Sequence, residues 1–254
     1  MAESVPGFDD GTHAALARHE GGHFWFEARN RLLLDSARRH FSDPCRFLEL
    51  GCGSGFTLQA LALAFPRWQL SGTEATIEGL RIAAARTPRA RLLQADGRDL
   101  PFTSEFDLVG AFDVLEHIHE GDRVLSEIHR SLRPRGCVML TVPQHRWLWS
   151  EQDELAGHVR RYDPGELEAA LRRAGFEILD SIGFMAPLVP LMWLSRRRTA
   201  SRERIADNEL APSRLVNLAL SLVLALERVA IRIGARWPFG GSRLVVARKR
   251  SSNA

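Results

Sequence analysis

The segment Glu49–Thr57, with the sequence Glu-Leu-Gly-Cys-Gly-Ser-Gly-Phe-Thr, has the composition and spacing of a ligand-binding turn. Gly51, Gly53 and Gly55 lack side chains and tolerate positive φ angles, so a ligand can approach the main chain closely. A short apolar run precedes this turn, and apolar residues at helical spacing follow it. The pattern predicts a strand, a glycine turn and a helix that together bind a nucleotide-type small molecule.

The residue after the glycines narrows the class of ligand. A dinucleotide-binding turn needs a third small residue three positions after Gly53, where the helix packs on the strand. Phe56 occupies that position, and the chain also lacks a paired catalytic Tyr and Lys. An NAD-dependent oxidoreductase is therefore disfavoured, and a purely structural turn is the other alternative.

Three later segments of the chain each end in an acidic residue. Glu74 ends one stretch, Asp96 ends the next and is followed by Gly97, and Asp113 ends the third, just before the sequence Val-Leu-Glu-His. A carboxylate suits a vicinal diol, because it accepts two O–H donors at once.

Together these segments resemble the class I S-adenosylmethionine (SAM) dependent methyltransferases, over about residues 45–182 and a last strand near 243–248. The resemblance implies SAM as the cofactor and a mainly parallel, seven-stranded Rossmann-like sheet in the order 3-2-1-4-5-7-6. It assigns the cofactor to Glu49, the glycine turn with Cys52, Glu74 for the ribose, Asp96 and Gly97 for the adenine, and Asp113. One departure is Arg135, where similar proteins usually carry a glycine.

The alternation of apolar strands and helices itself predicts an α/β fold with a doubly wound sheet, and ligands then bind at the carboxyl ends of the strands. We expect an N-terminal helical cap over residues 1–44, lying over the cofactor as a lid, and an α/β core over 45–182. A helical insertion is expected over 183–240, between strands six and seven, and the last strand with its tail over 241–254.

Transfer of a methyl group to a protonated acceptor needs a base, and histidine suits that role at neutral pH. His117 follows the fourth predicted strand, and His119, His145 and His158 lie nearby in the sequence. His117, His158 and Tyr162 are our candidate catalytic residues.

The loop after the fifth predicted strand holds two tryptophans and the sequence Gly-His-Val-Arg-Arg-Tyr, an unusual composition for a solvent loop. His145 and Arg161 are our candidate substrate contacts. The alternative is structural: Arg161 bridges the loop to Asp153, and Tyr162 packs beneath it.

Composition restricts which classes of protein, compartment and partner fit this chain. The chain of 254 residues is 45% hydrophobic, which fits one large domain. Cys45, Cys52 and Cys137 form no CxxC pair, so we expect a reducing compartment and no metal site. The N-terminus has no apolar signal segment, which indicates a cytoplasmic protein. A net charge of +3 without a basic stripe predicts no nucleic-acid partner.

The insertion carries the features of a surface helix. The apolar run 184–194 is too short to span a bilayer and is followed by Arg196, Arg197, Arg198, Arg202 and Arg204. Further on, Leu215, Leu218, Leu222, Leu226, Val229 and Ile233 form an apolar stripe on one helical face. We expect this stripe to pack on the protein's own core; the alternatives are peripheral contact with the inner membrane face and a homodimer interface.

These observations predict a methyltransferase that acts on a small-molecule, glycan or lipid-linked acceptor. A non-catalytic module that only binds SAM is the alternative.

Overall fold

The computed structural model describes residues 11–41, 44–196 and 212–250. Within these ranges seven strands form one sheet, in the order β3-β2-β1-β4-β5-β7-β6. β1 to β5 pair in parallel, whereas β7 pairs antiparallel with both of its neighbours. The predicted fold class and strand order are confirmed.

The strands are β1 (Arg46–Leu50), β2 (Gln69–Glu74), β3 (Arg91–Gln94), β4 (Phe106–Phe112), β5 (Leu132–Pro143), β6 (Phe176–Phe184) and β7 (Ser242–Lys249). The helices are α1 (Thr12–His19), α2 (Phe24–His40), α3 (Phe56–Ala64), α4 (Ile77–Arg86), α5 (Gly121–Ser131), α6 (Glu151–Leu155), α7 (Glu166–Arg173), α8 (Val189–Arg196) and α9 (Arg214–Arg232).

Two apolar layers cover the faces of the sheet, because successive side chains of a strand point to opposite faces. Leu48 and Leu50 of β1 belong to the layer formed with α5 and α7. Phe47 of the same strand belongs to the layer formed with α2, α3 and α9. This arrangement fixes β1 and β4 at the centre of the sheet, where the carboxyl ends of parallel strands form a cleft.

The N-terminal segment lies against the glycine turn. Glu20, just after α1, accepts a hydrogen bond from the Ser54 hydroxyl of the turn at 2.7 Å. Arg86 of α4 forms a 2.5 Å ion pair with the same carboxylate. These contacts fix the end of α1 against the glycine turn and α4, and a lid role for this segment stays a prediction.

Helix α9 has the opposite orientation to the expected one. Its apolar stripe faces outward, with Leu215 81% exposed, Leu226 72% and Ile233 83%. The prediction that this stripe packs on the core is wrong, because polar contacts hold the other face of the helix against the protein. Among the described residues, no helix is long and apolar enough to cross a bilayer. Arg197, Arg198, Arg202 and Arg204 lie outside the described residues.

Arg135 adopts a φ of 62°, a left-handed conformation that favours glycine. The turn before the main part of β5 therefore has positive φ even though it lacks the usual glycine.

Candidate active site

The three glycines of the turn all have positive φ angles, but they are needed for different reasons. A Cβ atom on Gly51 would lie 2.7 Å from the Val114 side chain, and one on Gly55 would lie 2.9 Å from the Cα atom of Ala83. A Cβ atom on Gly53 would meet only the ring of His13, at 3.8 Å, within the described part of the chain. Packing thus explains Gly51 and Gly55, whereas Gly53 faces the cleft.

Glu49 has a buried carboxylate at the tip of β1, beneath the turn. Its Oε2 atom is buried and has no hydrogen-bond partner among the described residues. Burial, with the negative charges of Glu20 and Glu74, raises the pKa of Glu49 to about 8 despite the positive charge of Arg29. An orphaned buried carboxylate oxygen of this kind suits a cationic ligand group.

Glu74 lies at the tip of β2, beside the turn. Its Oε2 atom accepts a hydrogen bond from the Gly53 amide at 3.0 Å, and its Oε1 atom accepts bonds from the Thr76 amide and hydroxyl. The Nε2 atom of His13 lies 3.8 Å from Oε1, so α1 covers this carboxylate. The Glu74 carboxylate thus lies beside Gly53, and its assignment to the ribose stays a prediction.

Asp96 lies after β3, at the outer side of the cleft. It forms a 2.6 Å ion pair with Arg98, and both side chains are about two-fifths exposed, at 42% and 40%. The hydrogen bonds from Arg98 lower the pKa of Asp96. Gly97 follows, and a Cβ atom there would lie 3.3 Å from Leu50. Its two carboxylate oxygens accept four hydrogen bonds from Arg98, one from the amide and three from the guanidinium, so a ligand amino group would have to replace one of them.

Asp113 has a partner that the sequence did not reveal. It follows β4 with a φ of 57°, and its Oδ2 atom lies 2.5 Å from the Nη1 atom of Arg29 in α2. Its Oδ1 atom accepts a hydrogen bond from Thr141 of β5 at 3.0 Å. Arg29 also donates to Thr57 at 3.2 Å. No local motif marks Arg29, since it lies 84 residues away from Asp113 along the chain.

The residues around the turn fit SAM. A cationic α-ammonium group matches the orphaned oxygen of Glu49, and close approach to the backbone requires the missing side chain of Gly53. Ribose hydroxyls and an adenine amino group are donors, and Glu74 and Asp96 supply acceptors. Cys52 lies in the turn with a buried thiol, the pKa of which is raised by burial. Its amide donates to the Thr73 carbonyl at 2.9 Å.

Two histidines meet where β4 and β5 end. His117 closes the short turn Leu115–His117 after β4, and His158 follows α6. Their ring centroids are 4.8 Å apart. Burial and the adjacent His158 imidazole lower the pKa of His117 to about 4. Because neighbouring parallel strands end at the same edge, residues 41 positions apart form one cluster on the side of the cleft away from Glu74 and Asp96.

Asp153 orients His158. The Nδ1 atom of His158 lies 2.9 Å from Oδ1 of Asp153, and the Nε atom of Arg161 lies 2.7 Å from the same oxygen. Burial raises the pKa of Asp153, but the hydrogen bonds from His158 and Arg161 and the charges of Arg161 and Arg196 outweigh it and hold the pKa well below its usual range. The carboxylate is therefore ionised and fixes the orientation of the imidazole.

Arg161 and Tyr162 have structural contacts. The Nη1 atom of Arg161 donates to the Gln144 carbonyl at 2.9 Å, so its guanidinium joins the loop to the end of β5. Tyr162 packs in the core layer with α5 and α7, and burial raises its pKa to about 12. His145 is buried beside Trp147, and burial lowers its pKa. The structural alternative for Arg161 and Tyr162 thus describes the contacts observed.

A buried carboxylate lies beside the two histidines. Glu116 is 1% exposed, and burial together with the charge of Asp113 raises its pKa well above the usual range. The candidate ligand atoms of Glu116, His117 and His158 lie within 4.8 Å of one another. One carboxylate and two imidazoles are a ligand set that divalent transition metals accept. The sequence predicted no metal site, because its cysteines gave no such pattern.

Comparisons with known proteins agree with this geometry. A family model described as Methyltransferase domain matches residues 17–181. A probable S-adenosylmethionine-dependent methyltransferase of Mycolicibacterium smegmatis is 32% identical over 140 residues, which are 54% of this chain and 53% of that protein. The malonyl-acyl-carrier-protein O-methyltransferase of Legionella pneumophila is 33% identical over 129 residues, 47% of this chain and 45% of that protein. The chain spans about half the length of the curated relatives it matches.

Solved structures share the fold. Phosphoethanolamine N-methyltransferase 2 of Haemonchus contortus, solved with SAM, has a TM-score of 0.63 at 22% identity over 96% of this chain and 58% of that one. The cyclase SpnF has a TM-score of 0.60 at 24% identity over 90% of this chain and 83% of that one. One of these proteins is a methyltransferase and the other a cyclase, so structural similarity at this sequence identity shows the fold alone.

Proposed function

This chain belongs to the S-adenosylmethionine-dependent methyltransferase family, and from that premise we propose that it transfers the methyl group of SAM to a hydroxyl-bearing acceptor. The acceptor is a small molecule, a glycan or a lipid-linked compound, and the second product is S-adenosylhomocysteine. The observation that carries the proposal is the orphaned carboxylate oxygen of Glu49 beneath the glycine turn.

The bound cofactor supplies a methyl group on a sulfonium, a neutral leaving group once the methyl is transferred. The protein's contribution is then chiefly to hold the acceptor in line with that methyl group. In our proposal Glu49 binds the ammonium group, Glu74 accepts from the ribose hydroxyls, and Asp96 accepts from the adenine amino group. Gly51, Gly53, Gly55 and Gly97 allow backbone approach, and Asp113 keeps Arg29 and α2 over the cleft.

On the acceptor side, we propose that His158 accepts the proton of the acceptor hydroxyl. Asp153 holds its Nδ1 atom, which leaves Nε2 to face the acceptor as the basic nitrogen. His117 lies against that ring and lines the same space. His145 and Arg161 flank the loop, and Tyr162 supports it from the core. A base held in place by Asp153 is useful only if the acceptor carries a proton to be removed. We therefore propose a hydroxyl as the acceptor group.

Calorimetry with S-adenosylhomocysteine, followed by transfer of a labelled methyl group from SAM to small molecules and lipids of a bacterial extract, tests the proposal. We expect Glu49→Ala to weaken cofactor binding by at least about tenfold, since it removes a charge-assisted contact. Glu105→Gln is the matched control, because Glu105 pairs with Arg91 on the exposed surface. Absence of cofactor binding by the wild-type protein contradicts the proposal.

The base is tested separately. We expect His158→Ala to lower the transfer rate by roughly 100-fold and to leave cofactor binding unchanged. His119→Ala is the matched histidine control, because the described hydrogen bond of His119 runs through its backbone carbonyl to Arg160. Binding without any transfer, in the wild-type protein and across acceptor classes, would instead favour the non-catalytic module.

A further inference from the structure

The outward apolar stripe of α9 is the largest feature that the proposed reaction leaves unexplained. It consists of Leu215, Leu218, Leu222, Leu226, Val229 and Ile233, each between 54% and 83% exposed. Their spacing of three or four residues places all six on one helical face. Over a helix of 19 residues, the stripe is about 28 Å long.

Specific polar contacts hold the opposite face inward. Asn217 accepts a hydrogen bond from the Phe24 amide at 2.9 Å. Glu227 accepts from the amides of Met185 and Ala186 at 2.8 and 2.7 Å, and Arg228 pairs with Asp35 of α2 at 2.7 Å. The helix is therefore fixed in this orientation, and its exposed apolar face has the character of an interaction site.

Charge indicates which surface covers it. Arg214 lies one turn before Leu218, at the first end of the stripe. Near the other end, only two carboxylates of the described residues, Asp35 and Asp180, pair with five arginines, so that end keeps a net positive charge; the arginines are Arg38, Arg39, Arg228, Arg232 and Arg236. Two copies that met through this stripe about a two-fold axis would bring positively charged ends close together, which is unfavourable. An anionic surface would complement them. The neighbouring helix α8, which packs on the same turn (Ala186–Leu188) as α9, exposes Leu191, Trp193 and Leu194.

We propose that α9 lies in the plane of an anionic lipid bilayer surface, with the stripe inserted at the boundary of head groups and acyl chains. A helix with a large apolar face, arginines at its ends and no capacity to span a membrane suits this position. The tryptophan of α8 suits the same boundary. If the reaction proposed above is correct, this surface favours a lipid-linked acceptor, but the docking itself does not depend on that reaction.

Vesicle flotation without cofactor or acceptor tests the docking. The full chain is mixed with vesicles of phosphatidylcholine and phosphatidylglycerol, or of phosphatidylcholine alone. We expect binding to the anionic vesicles only, and a loss of at least about tenfold in the double variant Leu222→Glu and Leu226→Glu. Leu63→Glu is the matched control, since Leu63 is 80% exposed on α3, outside the stripe.

Because Leu222 and Leu226 are exposed, we expect the double variant to fold normally. Circular dichroism checks its fold. Loss of binding in the double variant with unchanged thermal unfolding supports the proposal. The proposal is overturned by absence of binding to anionic vesicles, or by equal binding of the double variant. It is also overturned if light scattering shows a dimer that this variant dissociates while vesicle binding is absent. Each result is independent of methyl transfer.

Discussion

The Nδ1 atom of His158 lies 2.9 Å from the Oδ1 atom of Asp153, and the Asp153 side chain is only 1% exposed. The same carboxylate also pairs with Arg161 and with Arg196 at the end of α8. One buried anion therefore connects the proposed base to the loop after β5 and to the helix beside the proposed membrane surface.

Asp153→Asn should lower kcat by roughly 100-fold, because the imidazole loses the partner that fixes its orientation. Removing one member of a buried ionic cluster should also reduce the free energy of unfolding by about 3 kcal/mol or more. Steady-state kinetics below the unfolding temperature, with calorimetry of S-adenosylhomocysteine binding, separate the two effects. A positioning role predicts that kcat falls while cofactor affinity is kept, whereas loss of both together would indicate a structural role alone. Glu154→Gln on α6 is the control.

Gly53→Ala and Gly55→Ala should differ in which property they damage. Alanine at Gly53 costs about 1–2 kcal/mol for its left-handed backbone, and its methyl group obstructs the cofactor, so we expect cofactor binding to weaken by at least about tenfold. Alanine at Gly55 would overlap the Ala83 backbone, and we expect a stability loss of about 2–5 kcal/mol. Calorimetry and urea unfolding measure the two quantities. Equal affinity of Gly53→Ala and wild type would show that Gly53 does not face the cofactor.

Binding of the cofactor should release a proton near pH 7. The pKa of Glu49 is about 8 in the protein, so the carboxyl is mostly protonated at pH 7, and a bound ammonium group stabilises its ionised form and lowers that pKa. Calorimetry in phosphate and Tris buffers, which differ in ionisation enthalpy, counts the protons released. Glu49→Gln should abolish the difference between the buffers. An unchanged difference in that variant would assign the proton to another group.

Glu49 should also make stability depend on pH. A carboxyl pKa raised from 4.5 to about 8 means that the folded state binds more protons than the unfolded state between these values. The contribution of Glu49 is therefore fully present below about pH 4.5 and is lost as the pH rises to about 8. The loss is roughly 3 to 5 kcal/mol. Urea unfolding at several pH values should show a shallower decline in Glu49→Gln, and an identical decline in both proteins would contradict the assignment.

Metal removal should leave methyl transfer unchanged. Asp153 already orients His158 as a proton acceptor, so the base needs no ion. Dialysis against EDTA, followed by the transfer assay, measures this. Loss of activity on dialysis with recovery on addition of Zn²⁺ or Mn²⁺ would instead assign Glu116, His117 and His158 as metal ligands.

Local patterns predicted much of the core. The glycine turn is recognisable because its chemistry depends on consecutive residues, whereas Glu74 and Asp96 are assigned through the family resemblance. The family resemblance extended these patterns to the strand order that the structure confirms. The resemblance assigns Glu49 to the cofactor from its place before the turn, but only the structure shows that one of its oxygens is buried without a partner among the described residues.

The sequence by itself determined the sheet, the glycine turn and the existence of an amphipathic helix with an apolar stripe from Leu215 to Ile233, because the repeat of side chains along a strand or helix is a local property. Only the tertiary structure decided which residues meet across loops, as with Arg29 and Asp113 or Glu116 and His158. It also decided which face of α9 turns outward. Periodicity shows that a helix has an apolar face, but the direction of that face depends on distant partners, here Phe24, Asp35 and Met185, which bind its polar side.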